Sequence, residues 1–180
     1  MQDVLDLGCG IGRHAILFAE AGFVVTAVDD SQQALNILRK EASERQVTIT
    51  CIKSSYTKDI FTENSFDLVI AYNVLYHGYR ENMDRSIQLV YRYLRPGGKF
   101  FFTCPTRQDD KYRNGEKVAE NTYKSLKSVH PGDIHYFTGE EDVACFLRDF
   151  PGYKVDREEH YWDNEGIRQF SSSWHILANK

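Results

Sequence analysis

An acidic residue, three glycines at alternate positions and a basic residue fall close together near the start of the chain: Asp6-Leu7-Gly8-Cys9-Gly10-Ile11-Gly12-Arg13. Glycines spaced in this way let the backbone turn sharply between a strand and a helix. They also let a ligand approach closer than a side chain would permit. N–H groups exposed at the start of the helix favour a polar or anionic ligand group. A second carboxylate, Asp29, stands 21 residues beyond Gly8. In a nucleotide-type α/β fold a carboxylate at the end of the second strand can accept hydrogen bonds from both ribose hydroxyls. The dinucleotide fingerprint G-x-G-x-x-G needs glycine where Arg13 stands, so that match is poor.

The elements that must position these groups follow from hydrophobic pattern and breakers. Val4, Leu5 and Leu7 suit a strand buried on both faces, and Ala15, Ile16, Phe18 and Ala19 suit a helix closed by Ala21-Gly22. Residues 23–28 form a second strand, and Ser31 caps a helix over 32–44, with Asp30 as an alternative partner of its dipole. Strands follow at 47–52 and 66–71. A helix over 81–94 stops at Arg95-Pro96-Gly97-Gly98, and a strand follows at 99–104. From Pro105 to Phe137 the pattern is irregular and polar, and a segment of this length beside a ligand crevice is read as a substrate loop. It carries Arg107, Tyr112, Tyr123, His130, His135 and Tyr136. Thr138 and Glu141 predict a capping box for the next helix, ended by Pro151-Gly152. Strands over 153–162 and 172–178 complete the chain.

VLDLGCGIGR closely resembles motif I of class I S-adenosylmethionine-dependent methyltransferases, and further matches follow in order. Glu63-Asn64-Ser65-Phe66-Asp67 is similar to the family's D-N-S-F-D segment, Leu75-Tyr76-His77 to its L-H-H stretch, and Leu94-Arg95-Pro96-Gly97-Gly98-Lys99-Phe100 to its L-R-P-G-G-K-F turn. The resemblance spans Val4 to Ala178. It implies one α/β domain over 1–180, a Rossmann-like methyltransferase sandwich. Its sheet has seven mostly parallel strands, the last antiparallel, with helices on both faces. It also implies S-adenosyl-L-methionine as cofactor, held by Asp6, Gly8, Cys9, Gly10, Arg13, Asp29, Asp30, Ser31, Ser55, Tyr56, Tyr72 and Asn73. Asp29 takes the ribose. Ser55 replaces the acidic residue that reaches the adenine amino group, and Tyr56 stacks on the ring or caps the surface. The N-P-P-Y motif of amide- and base-N-methylating enzymes is absent, since Val74 and Leu75 follow Asn73. The family usually carries a helix or more ahead of the first strand. Here the expected cover is the 105–137 loop, another subunit or a longer chain.

In-line methyl transfer draws on alignment and exclusion of water. A base is needed only for a protonated, weakly acidic acceptor; His77 and His135 are the catalytic candidates, with His130 a third. The formal net charge of −4 and pI near 5.9 give no basic footprint for nucleic acid or an anionic membrane. The expected partner is a small-molecule acceptor, with oligomeric state left open. Cys9, Cys51, Cys104 and Cys145 form no C-x-x-C pair and are expected to be buried thiols in a reducing, cytoplasmic setting. No signal peptide or apolar run of membrane-spanning length is visible. No metal site is expected: adjacent Glu158, Glu159 and His160 on one strand point to opposite faces. Two other classes remain: a cofactor-binding protein with weak turnover, and a nucleotide-dependent oxidoreductase, against which Arg13 and the antiparallel end argue.

Overall fold

Apolar residues on both sides of a strand need cover on both sides, and β1 (Asp3–Leu7) receives it: Val4 and Leu5 are fully enclosed. The computed structural model describes residues 2–125, 132–164 and 167–180. After β1 come α1 (Arg13–Glu20), β2 (Val24–Asp29), α2 (Gln32–Glu44), β3 (Ile49–Lys53) and β4 (Phe66–Ala71). They are followed by α3 (Arg80–Tyr93) and β5 (Leu94–Pro105), then three short strands: β6 (Glu116–Ala119), β7 (Thr122–Lys124) and β8 (Ile134–Tyr136). The last elements are α4 (Glu140–Phe146), β9 (Gly152–Asn164) and β10 (Ile167–Asn179).

The main sheet has seven strands in the order β3-β2-β1-β4-β5-β10-β9. β1 to β5 pair in parallel, while β10 runs antiparallel to both β5 and β9. This is the expected architecture, and its antiparallel end sets it apart from a dehydrogenase sheet. Alternation along the strands sends side chains to two cores. Val4, Val25, Ala27 and Ile70 pack with Ala15 and Ile16 of α1 and Leu35 and Leu38 of α2. Leu5, Val69, Phe100 and Phe102 pack on the other face with Met83, Ile87 and Val90 of α3 and Val143 and Phe146 of α4. Strand order reverses beside β1, so the carboxyl ends of β1 and β4 border a crevice.

Four local expectations change. The 105–137 segment is not irregular throughout: β6, β7 and β8 form a second, antiparallel sheet within it. The Arg95–Gly98 turn belongs to β5, which continues directly from α3, and Gly97 N–H donates to the Lys180 carbonyl at 2.8 Å. The cap of α4 is Gly139 rather than Thr138, and its N–H donates to the Asp142 carboxylate at 2.9 Å. Of the four free cysteines only Cys104 is buried; Cys145 is exposed. Ser31 caps α2 as expected, its Oγ accepting from Ala34 N–H at 3.2 Å.

Candidate functional site

The three glycines of the first turn answer to three different demands. Gly8, with φ +72°, faces the β4–α3 loop, and an added Cβ would lie 2.2 Å from Val74 Cγ2. Gly12, with φ +88°, faces α2, where a Cβ would lie 2.1 Å from Leu38 Cδ1. Gly10, with φ +54°, faces open space, with no heavy atom within 4 Å of the position a Cβ would take. Gly8 and Gly12 serve packing, whereas Gly10 leaves room for a ligand.

Five N–H groups around the turn bond within the protein. Gly8 and Cys9 donate to the Val28 carbonyl at 2.7 and 2.9 Å, and Gly12 donates to the Cys9 carbonyl at 2.9 Å. Gly10 donates to Asp29 Oδ2 at 2.8 Å, and Ala15 donates to Asp6 Oδ2 at 3.0 Å. Acidic groups border the turn as well. Asp29 Oδ1 also accepts from Ser31 N–H at 2.9 Å, which leaves lone pairs on both oxygens. Asp6 is buried, and burial pushes its carboxyl up to about 7, with the Asp29 charge adding to the rise. At the end of β2, Asp29 with these lone pairs suits a ligand that carries a ribose. Burial also holds the Cys9 thiol well above its ordinary range, so Cys9 lines the turn without being reactive.

The opposite bank of the crevice is the loop after β4. Asn73 adopts φ 55°, and Thr103 of β5 clamps it: Asn73 N–H donates to Thr103 Oγ1, which donates to Asn73 Oδ1, both at 2.9 Å. Tyr72 bridges to α1, with the Arg13 guanidinium 5.3 Å from its ring centre and the His14 ring at 4.9 Å. Asp30 is exposed, one residue past β2. Ser55 and Tyr56 make contacts within the fold. Ser55 Oγ lies 2.9 Å from Thr57 Oγ1, and the Tyr56 hydroxyl donates to the His77 carbonyl. Burial pushes the Tyr56 hydroxyl up to about 12.

Beyond Tyr72 and Asn73 lies a polar cavity of about 170 Å³, also walled by Tyr76, Asp109, Lys111, His135, His160 and His175. A second, of about 190 Å³, shares Lys111, His135 and Phe137 with it, so His135 stands between the two. Backbone pairing fixes the two candidate histidines: Gly78 N–H donates to the Ile134 carbonyl at 2.7 Å and Tyr136 N–H to the Tyr76 carbonyl at 2.9 Å. The His77 and His135 rings meet edge to face, 4.6 Å apart. Burial and the neighbouring His77 lower the His135 imidazole to about 4, so it is neutral at neutral pH.

Of the other residues expected on the substrate loop, Tyr123 lines the second cavity. Arg107 is tied to Asp142 at 2.6 Å and to Glu141 at 2.5 Å, and Tyr136 is buried against Phe146. Tyr112 donates to Asn121 Oδ1 at 2.8 Å, and His130 lies outside the described residues. Sequence reading missed Asp109, Lys111 and His175 as cavity walls. It also set aside Glu158 and His160, which share a face two residues apart: Glu158 reaches His160 Nε2 at 2.7 Å and His175 Nε2 at 2.6 Å. A larger apolar groove of about 640 Å³ runs between α1 and α2, and on its wall Glu20 and Glu41 both pair with Arg45. Among the described residues no helix is long and apolar enough to cross a membrane.

Residues 4–98, just over half of the chain, match a family described as a methyltransferase domain. A ubiquinone biosynthesis O-methyltransferase of Rickettsia akari is 26% identical over 168 residues, covering 89% of this chain and 65% of that protein. A cypemycin N-terminal methyltransferase of Streptomyces is 34% identical over 124 residues, covering 68% of this chain and 49% of its own. The chain therefore spans about two thirds or less of these relatives' lengths. Among solved structures, a SAM-dependent methyltransferase of Methanosarcina mazei superposes with TM-score 0.78 at 19% identity, covering 99% of this chain and 92% of that one. A 1,6-didemethyltoxoflavin-N1-methyltransferase of Burkholderia thailandensis, with bound 1,6-didemethyltoxoflavin and S-adenosylhomocysteine, gives 0.68 at 20%, covering 99% and 71%. At these identities the structural likeness speaks for the fold.

Proposed function

This chain belongs to the methyltransferase-domain family, and from that membership we propose that it uses S-adenosyl-L-methionine to methylate a small molecule held in the cavity beside His135. When bound, the cofactor supplies a methyl group on a cationic sulfonium, open to in-line attack by a nucleophile. The observation that carries the reading is the join between two spaces. Tyr72 and Asn73 border both the glycine-turn crevice and the polar cavity, so an acceptor in the cavity faces a cofactor in the crevice across those two residues.

Each residue then has a physical task. Asp29 offers its remaining lone pairs to ribose hydroxyls, Gly10 gives the cofactor room, and the nearby Asp6 and Asp29 favour its positive charge. The Thr103 clamp holds Asn73 in its left-handed conformation, and Tyr72 is held by Arg13 and His14. Lys111, Asp109 and His175 orient a polar acceptor. We read residues 105–137 as the cover that excludes water, within one domain over 1–180. His135 on the cavity wall, with His77 packed against it, is our candidate to receive the acceptor's proton. The four free thiols support a cytoplasmic setting.

Calorimetric titration with S-adenosylmethionine and S-adenosylhomocysteine tests the cofactor half. Micromolar binding is the expected result, and no binding by folded protein would sink the reading. A screen of small hydroxyl- and amine-bearing acceptors, followed by release of S-adenosylhomocysteine, tests the other half. Cofactor binding with no turnover across that screen would favour a binding protein over an enzyme.

A further inference from the structure

We propose that His77, Asp133 and His135 form a binding site for a first-row divalent cation of the zinc class, joined through His135 to the wall of the acceptor cavity. Among the described residues these are the one group of three such side chains in which a ring nitrogen of each histidine and a carboxylate oxygen all lie within 4.8 Å of one another. Two nitrogens on one zinc ion stand roughly 3.3 Å apart, at metal–nitrogen distances of about 2.0–2.1 Å. The backbone is already set, because Gly78 and Tyr136 N–H groups zip the two histidine-bearing segments together. The imidazoles meet edge to face at 89°, so they are not stacked in a way that would block a shared ligand.

A second observation points the same way. His135 Nε2 is buried and has no hydrogen-bond partner, a state that costs free energy unless something fills the gap. Two imidazoles and one carboxylate make a ligand set suited to zinc, iron or cobalt rather than to magnesium or calcium, which take oxygen shells. Three protein ligands also leave positions open for water or a substrate oxygen, and His135 faces the cavity that would supply it. The sequence conceals the set, because only Asp133 and His135 are close in sequence and His77 lies 58 residues before His135.

The inference deepens the role given above to the histidine pair, and rests on that reading only for what the cation would do. A hydroxyl coordinated to such a cation gives up its proton at lower pH, so the proton is released to solvent rather than carried on an imidazole. The cation binding itself is read without cofactor or acceptor.

Chelator-treated, dialysed full-length chain is titrated with Co²⁺ and followed by its visible d–d absorption, which intensifies when Co²⁺ leaves octahedral water. Zn²⁺ competition and calorimetry then give the stoichiometry. One cation per chain is expected, with affinity reduced on the order of tenfold or more in His77→Gln, His135→Gln and Asp133→Asn. It should be unchanged in His160→Gln and His175→Gln, which remove the other histidines of the cavity. Thermal transitions confirm that each variant folds, and exposed His77 carries the test if His135→Gln does not. Absence of cation binding would overturn the proposal, as would an affinity unchanged in either the His77 or the His135 variant, or one reduced as much in the His160 or His175 variant. A chain that binds Co²⁺ but no S-adenosylmethionine would keep the site and sink the methyl-transfer reading; the reverse pattern would do the opposite.

Discussion

Asp29 joins two elements through one carboxylate, with Oδ2 on the glycine turn and Oδ1 on the residue that caps α2. Asp29→Ala is expected to weaken S-adenosylmethionine binding by about 1–3 kcal/mol, the loss of hydrogen bonds to a charged acceptor. Calorimetry on a folded variant checks this, and unchanged affinity would remove the ribose assignment. The glycines divide in the same way. Gly8→Ala drives a methyl into Val74 in a conformation that already disfavours side chains, and should cost about 2–4 kcal/mol of stability. Gly10→Ala meets no atom, so its stability loss should be near 1 kcal/mol while its cofactor affinity falls more steeply. Urea unfolding beside a cofactor titration separates the two. Equal loss of stability in both variants would contradict the division.

At the scale of elements, the Asn73 turn depends on a strand that is distant in sequence. Thr103 is fully buried and supplies both an acceptor and a donor to Asn73, so Thr103→Val leaves that turn's N–H without its partner. The expected cost is about 1–3 kcal/mol of stability, together with weaker cofactor binding because the crevice loses one bank. Intact affinity would show that the turn holds without its clamp. Contacts of this kind mark the limit of what the sequence discloses. The order of β1 to β5 with their helices was legible because each strand is a short apolar run and each break carries a cap or a glycine. Gly98 looked like part of a turn, yet it lies in β5, and there a Cβ would sit 2.9 Å from the Arg95 carbonyl and 3.2 Å from that of Asp67, so the strand's close passage demands glycine. β6, β7 and β8 were not legible: they are three or four residues long, carry Glu116, Lys117 and Lys124, and are defined by pairing rather than by pattern. The cofactor bank of the site follows from local motifs. The acceptor cavity draws on Tyr76, Lys111, His135, His160 and His175, which only the fold brings together.

For the whole molecule, the cofactor crevice carries a cost that pH makes visible. Asp6 lies beneath the turn at 2% exposure, and burial raises its carboxyl from the ordinary value to about 7. Below pH 4 the group is protonated in both the folded and unfolded chains, and stability does not respond to it. Between about pH 4 and 7 the unfolded chain has lost the proton while the folded chain keeps it. The native state then binds more protons, and stability falls as pH rises. Above the folded value both forms are ionised and the loss is complete, at most about 4 kcal/mol for a shift of some three pH units. In Asp6→Asn the side-chain carbonyl still accepts the Ala15 N–H, but no charge develops. Other titrating groups, His135 among them, are common to both proteins and cancel. The stability difference, variant minus wild type, should therefore rise from pH 4 to pH 7 and level off beyond it, as measured by urea midpoints at a series of pH values. A difference independent of pH would mean that Asp6 is ionised throughout, and that the negative field assigned to the crevice is already stabilised by the fold. The cofactor adds a second arm. Its positive charge should favour ionised Asp6, so saturating S-adenosylmethionine is expected to flatten the wild-type slope and leave the variant's unchanged.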